Sequence, residues 1–171
     1  MTPAQAVNVG LISCSRSKLD RPAPARELYI SPLFRAARLY AERCYGRGKW
    51  FILCARYGLV APDQLLAPYD LTLRQLSCAE REAWGDRVAV ELTDRFPAGT
   101  VLWFHAGVLY RDAIARVVPH QVRFPLAGLR IGEQLAWYRQ RAPAPRQQIV
   151  HPMTSLPKLL TDALALLIDV R

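Results

Sequence analysis

The stretch VGLISCSRSKLDRPAPARELYISPLF, residues 9–34, decides the fold class. Val7 to Ser13 is a short apolar run with β-branched residues, ended by turn formers, which is the pattern of a buried strand. Ser31 to Glu42, SPLFRAARLYAE, reads as a helix. Ser31 stands at the N-cap, where a hydroxyl can accept from the first turn, and Pro32 stands where a missing N–H costs nothing. Leu33, Phe34, Ala37 and Tyr40 would then share the core face. A strand, a long loop and a helix in this order form the first half of a crossover unit.

The same pattern recurs along the chain. WFILCAR, Trp50 to Arg56, reads as a second strand, and AEREAWGDRVAVELTDRF as a helix beginning after Ser77. TVLWFHAG is a third strand running into the helix VLYRDAIARVV; HQVRFPLAG is a fourth, followed by the helix GEQLAWYRQR. Strands alternating with helices predict an α/β fold with a mainly parallel sheet flanked by helices. At 171 residues the chain suits a single domain spanning 1–171. Residues 142–157 hold four of its prolines and read as a Pro-rich connection. Beyond them LPKLLTDALALLIDV carries a helical stripe of Leu159, Leu160, Ala163, Leu166 and Leu167, expected to close a core.

The formal charge of +9 and the pI near 9.9 come mostly from arginine, since lysine stands only at Lys18, Lys49 and Lys158. Arginine forks onto phosphate and stacks on bases, so this balance favours an anionic partner, with nucleic acid the first candidate, or else a merely solvated basic surface. Cys14, Cys44, Cys54 and Cys78 stand far apart, without a CxxC pair or a zinc spacing, and read as reduced thiols of a cytoplasmic protein with no signal peptide. No apolar run approaches the roughly 18–20 residues that span a bilayer, so no membrane partner is expected.

In parallel sheets, ligands gather where the loops leave the carboxyl ends of the strands. Here each strand ends in something polar or unusual. Cys14, Ser15, Arg16, Ser17 and Lys18 offer hydroxyls, backbone N–H groups and two cations, the makings of an anion cradle, although the glycine spacing of a phosphate-binding P-loop is absent. Lys18 could instead attack an aldehydic sugar carbon, or simply pair with Asp20 or Glu27. Cys14 reads as a small core residue as readily as a nucleophile. Arg56, Tyr57 and Gly58 open a loop that returns to Pro68, Tyr69 and Asp70; its tyrosines could stack a base while Asp70 serves as general base, or the tyrosines could fill core while Asp70 caps a turn. His105, Gly107 and Tyr110, with Arg111, mark a strand-to-helix junction whose helix N-terminus attracts anions; His105 is a catalytic candidate or a hydrogen-bonded structural residue. Gly128 and Gly132 precede a helix with Arg139 and Arg141 beside Trp137 and Tyr138, a mixture suited to nucleic acid or to plain amphipathic packing. These four loops are expected to form one site.

Several motifs in order, LISCSRSKLD, LYISPLF, ILCARYGLVAPDQLLAPYDLTL, GVLYRDAI and PLAGLRIGEQLAWY, resemble a widespread bacterial and phage family of uncharacterised proteins with a CSxSK opening; the match covers most of residues 9–138. More distantly, LIS with a following lysine and YGLVAPDQLLAPYDL resemble the YaaA family of peroxide-stress, DNA-binding proteins, and the opening and Tyr-Gly loop are similar to a domain of archaeosine synthase, which modifies a deazaguanine base in transfer RNA. The resemblance implies a YaaA-like core and a role around nucleic acid or nucleobases. Its matching positions are Cys14, Ser15, Ser17, Lys18, Tyr57, Gly58, Pro68, Tyr69 and Asp70. Arg16 departs from the lysine common in the related opening, and the DNA-binding helical hairpin of the YaaA family has no counterpart here.

Together these features lead to the expectation of an enzyme acting on a nucleobase or its glycosidic bond, of DNA glycosylase or base-modifying type, with DNA ahead of RNA as partner. Lys18, Asp70 and His105 are the catalytic candidates; Cys14, Ser15, Arg16, Ser17, Arg56, Tyr57, Gly58, Tyr69, Gly107 and Tyr110 are the candidates for holding phosphate or base. No cofactor and no metal are expected. The competing expectation is a non-catalytic protein that binds DNA, RNA or a nucleotide in a stress response, and a third is a metabolite enzyme acting on a phosphorylated nucleoside.

Overall fold

A computed structural model describes residues 6–141. The expected strand–helix alternation is present. Strand β1 (Asn8–Ser13) is followed by a two-residue strand β2 (Ala23–Pro24), a single turn α1 (Ala25–Leu28) and helix α2 (Pro32–Cys44). Strand β3 (Trp50–Cys54) leads through β4 (Gly58–Val60) and β5 (Leu65–Leu66) to helix α3 (Cys78–Arg95). Strand β6 (Val101–His105), helix α4 (Val108–Ala115), strand β7 (Gln121–Arg123) and helix α5 (Ile131–Arg141) complete the order. The expected connection 142–157 and the stripe Leu159 to Leu167 lie outside the described residues.

The helix starts follow their local chemistry. The Ser31 hydroxyl accepts from the Phe34 N–H at 3.2 Å, with Pro32 in the first turn as its missing N–H allows. At α3, Ser77 and Glu80 exchange bonds between side chain and backbone, a capping box that ties two otherwise orphaned N–H groups.

The main sheet has the order β4-β3-β1-β6-β7, with β3, β1, β6 and β7 mutually parallel and β4 antiparallel to β3. Both faces are covered, as a parallel sheet requires. From β1, Val9 and Leu11 point to the side of α3 and α4, where Trp84, Val88, Leu92 and Ile114 are buried with them. Ile12 points to the opposite side, where Phe34, Ala37 and Ala41 of α2 and Tyr138 of α5 complete a second core. Gly85 brings α3 and α4 into close contact: a Cβ there would collide with the backbone carbonyl of Ala113.

The segment from Ala55 to Leu73 is more ordered than the loop expected from the sequence. Gly58, at φ +75°, turns the chain straight back so that β4 pairs with β3, a backbone conformation other residues resist. Further on, β5 pairs antiparallel with β2 from the β1–α2 connection. Bonds from Ala25 N–H to Gln64 O and from Arg26 N–H to Pro62 O, and an Arg26–Asp63 ion pair, fasten the same two segments. Two long connections are thus tied into one layer over the ends of β1 and β3.

Candidate functional site

The chain leaves β1 toward β3 on one side, and the next crossover carries it to β6 on the other, so β1 and β6 flank the switch point of the sheet. Loops leaving two such strands part and open a crevice. A cleft of about 660 Å³ lies there, within the size usual for small-molecule sites. Ser13, Cys14, Ser15 and Arg16 form one wall, Gly107 to Tyr110 at the start of α4 another, and Asp70 with Thr72 to Gln75 a third, while Ile131 is the contribution of the first residue of α5.

Thr72 to Gln75 hold their shape by a second capping box: the Thr72 N–H donates to Gln75 Oε1 at 2.6 Å, ahead of the short 3₁₀ turn Leu73–Gln75. This presents Arg74 on the cleft wall, which Arg16 also lines, with both side chains exposed. The start of α4, capped at Gly107 without a side-chain bond, adds the positive end of a helix dipole. Asp70 is the carboxylate among these cations.

A chain of thiols and phenols leads inward from the cleft wall. Cys14, half-buried, directly follows β1; its N–H donates to Leu53 O at 2.9 Å, so its neighbour across the strands is Cys54, which is fully buried. The Cys14 sulfur meets the Tyr110 hydroxyl at 3.2 Å, and the Cys54 sulfur meets the Tyr69 hydroxyl at 3.0 Å and accepts from the Tyr57 N–H at 3.2 Å. Tyr69 continues to the Tyr29 hydroxyl at 2.9 Å. Cys54, beside it in the next strand, holds the Cys14 thiol below its ordinary range against the opposing effect of burial, with the Tyr110 hydroxyl and the Ala55 backbone helping. Cys54 moves the other way, because the Cys14 sulfur beside it and its own burial both disfavour its thiolate. Burial pushes Tyr69, Tyr110 and Tyr29 up as well, so they remain phenols and donors.

The other sequence candidates are distributed around this centre. The Lys18 ammonium lies over the Tyr69 ring, 4.1 Å from its centroid, and donates to Arg16 O at 3.3 Å, and it is not part of the cleft wall. Ser15 lines the cleft and donates to Ser17 O at 2.9 Å; Ser17 shapes the loop through this carbonyl, which also accepts from the Ile30 N–H. Arg56, Tyr57 and Gly58 occupy the β3–β4 turn, with the Arg56 guanidinium over the Tyr57 ring and Tyr57 edge-on to Tyr69 at 5.5 Å. They reach the centre through Tyr69 and Cys54 and are not on the cleft wall.

The expectation that all four loops share one site needs correction at His105. Its ring turns to the α2–α5 side, 3% exposed, with Nε2 2.7 Å from the Tyr45 hydroxyl and Nδ1 3.1 Å from the Tyr138 hydroxyl. Tyr40 and Trp137 also pack around it, at 5.2 and 5.8 Å between ring centroids. Burial lowers its pKa to about 4. Alternation along β6 explains the separation: His105 belongs to the helix face, and the cleft begins two residues later. Trp137 and Tyr138 of α5 pack inward here, the amphipathic alternative, with the Arg141 guanidinium over Trp137 at 4.6 Å.

Two contributors were not singled out from the sequence. The Thr72-x-x-Gln75 spacing, with Arg74 inside it, is a capping-box signature that the length of the loop obscured. Cys54 closes the strand paired with β1, and a register placing Gly10 beside Trp50 would have set it next to Cys14. Among the described residues no group of three or more His, Cys, Asp or Glu is placed to hold a metal, and no helix is long and apolar enough to cross a membrane.

No curated protein and no solved structure matches the chain. A family profile does match, over residues 9–140, from the first residues of β1 to the last turn of α5 and so across every wall of the cleft. The chain therefore belongs to the family of unknown function DUF6884.

Proposed function

We propose that the protein is an enzyme acting on nucleic acid at a nucleobase or its glycosidic bond, with the cleft at the β1–β6 switch point receiving the nucleotide. One observation carries this reading: the cleft wall combines a carboxylate, Asp70, with two exposed guanidinium groups, Arg16 and Arg74, and a helix N-terminus. The cations suit phosphate and the carboxylate suits an oxocarbenium-like sugar or the activation of water. The net charge of +9 draws polyanions toward such a site. The sequence resemblance to YaaA-like proteins and to the archaeosine synthase domain points the same way, and DNA is the first substrate to offer.

The test is incubation of single- and double-stranded oligonucleotides, unmodified and carrying damaged or modified bases, with mass spectrometry of the released bases and of the strand. The expected result is base release or base modification that Asp70→Asn abolishes and that Arg16→Ala with Arg74→Ala weakens through binding. Borohydride during turnover reports on Lys18, because a trapped imine lost in Lys18→Ala would assign the attack to that amine. Tight, steeply salt-dependent binding with no product on any substrate would instead establish a non-catalytic binding protein. A response to mononucleotides alone would move the substrate to a phosphorylated nucleoside.

A further inference from the structure

The hydrogen bonds that lead inward from the cleft wall allow a single direction of donation. If the Cys14 sulfur is ionised, Tyr110 donates to it from the α4 side, and Cys54 is its neighbour in the adjoining strand; Tyr69 can donate to Cys54, and Tyr29 to Tyr69. Lys18 lies over the Tyr69 ring at the far end of this chain. Such an arrangement is costly for a thiol that only fills space, because it gives the sulfur a hydroxyl partner in Tyr110 and sets a second thiol and two further phenols behind it. It also differs from an isolated surface cysteine, since Cys14 lines the cleft that Asp70 and Arg16 share.

We propose that Cys14 is the nucleophile of the cleft, with Cys54 and Tyr110 as the positioning groups that hold its charge. The inference rests on the function proposed above for the identity of the substrate and deepens its chemistry. The sulfur attacks the sugar carbon that bears the base: a carbon–sulfur bond forms, the carbon–nitrogen bond breaks, and the base leaves with that electron pair and takes a proton from water. Water then displaces the sulfur from the same carbon, Asp70 accepting the water proton, and the thiolate returns unchanged. The substrate class is a nucleoside unit whose base can depart as a stabilised anion or neutral ring.

Iodoacetamide reads the nucleophile without any nucleic acid: the sulfur bonds to its methylene carbon and iodide departs with the carbon–iodine electron pair. Site-resolved mass spectrometry of the folded chain, labelled across about pH 5 to 9, compares Cys14 with the exposed Cys44 and Cys78 in the same sample. Cys14 is expected to react first at neutral pH despite its lower exposure. In the acid range each unit separating its thiol from theirs gives about threefold faster labelling, tenfold from the thiolate fraction less the accompanying loss of nucleophilicity. Tyr110→Phe and Cys54→Ala are expected to move the Cys14 midpoint upward; because Tyr110 is only half-buried, its variant keeps the test available if Cys54→Ala fails to fold. Labelling of Cys14 that lags Cys44 and Cys78 and rises only through the ordinary thiol range would overturn the proposal, as would base release that survives Cys14→Ser. Fast Cys14 labelling in a protein that processes no oligonucleotide would leave the nucleophile in place and remove the nucleic-acid substrate.

Discussion

His105 makes the stability of this fold sensitive to acid by an amount the structure sets. Its ring is buried against Tyr40 and Tyr45 of α2 and Trp137 and Tyr138 of α5, with Arg141 over the outer face of Trp137. None of these groups offers a negative charge: Tyr40 is pushed up to about 12 by burial, and Tyr45 and Tyr138 move up for the same reason. The folded-state pKa of His105 therefore falls from 6.5 to about 4. Because the folded value is depressed, the unfolded chain binds the proton first, so stability is complete above about pH 6.5 and is lost as pH falls toward 4. The full shift corresponds to about 3 kcal/mol, and the part lost between about pH 7 and pH 5 to about 2 kcal/mol. Urea unfolding of the wild type and His105→Gln over this range isolates the effect, because the amide can accept from one tyrosine and donate to the other without titrating. The variant pays a constant packing cost, and the wild-type advantage is expected to shrink by about 2 kcal/mol toward pH 5. If the two pH profiles run parallel, His105 carries no such penalty and the burial argument fails.

Three further outcomes follow from other parts of the molecule. Gly85→Ala drives a methyl into the Ala113 carbonyl and should cost about 1–3 kcal/mol by chemical denaturation, since the α3–α4 contact must open to admit it. Ser77→Ala removes the cap acceptor for the Glu80 N–H and should lower stability by about 1 kcal/mol, read as a drop in the thermal midpoint. Arg16→Ala and Arg74→Ala should each reduce the slope of log affinity against log salt for a single-stranded oligonucleotide by about 0.7, if each guanidinium neutralises one phosphate; unchanged slopes would place the strand elsewhere.

The alternation of strand and helix was legible because each unit carries its own punctuation, from Ser31-Pro32 and the Ser77-x-x-Glu80 box to the apolar runs of β1, β3 and β6. The antiparallel return at β4 was not, since a three-residue strand after Gly58 has too few residues to declare a period. The layer joining β2 to β5 was hidden for a different reason: two residues on each side acquire strand geometry only through each other, across a separation that no local pattern encodes. For the site, strand ends were a sound guide to position but not to orientation. His105 ends its strand as surely as Cys14 follows β1, yet the residue alternation of β6 sends the imidazole to the α2–α5 core.

This difference in orientation also bears on which groups can do chemistry together. Asp70 is on the cleft wall, whereas the Lys18 ammonium lies over the Tyr69 ring and is not part of that wall. An imine mechanism would require Lys18 to leave its cation–π seat and its bond to Arg16 O, whereas Cys14 already borders the cleft with the Tyr110 hydroxyl in place. In its present seat Lys18 contributes best as a fixed positive charge at the end of the phenol–thiol chain, favouring negative charge at its other end. Lys18→Met keeps the length of the stem and removes that charge. It is therefore expected to slow the alkylation of Cys14 at neutral pH while leaving Cys44 and Cys78 unaffected, a result that a detached catalytic lysine would not produce.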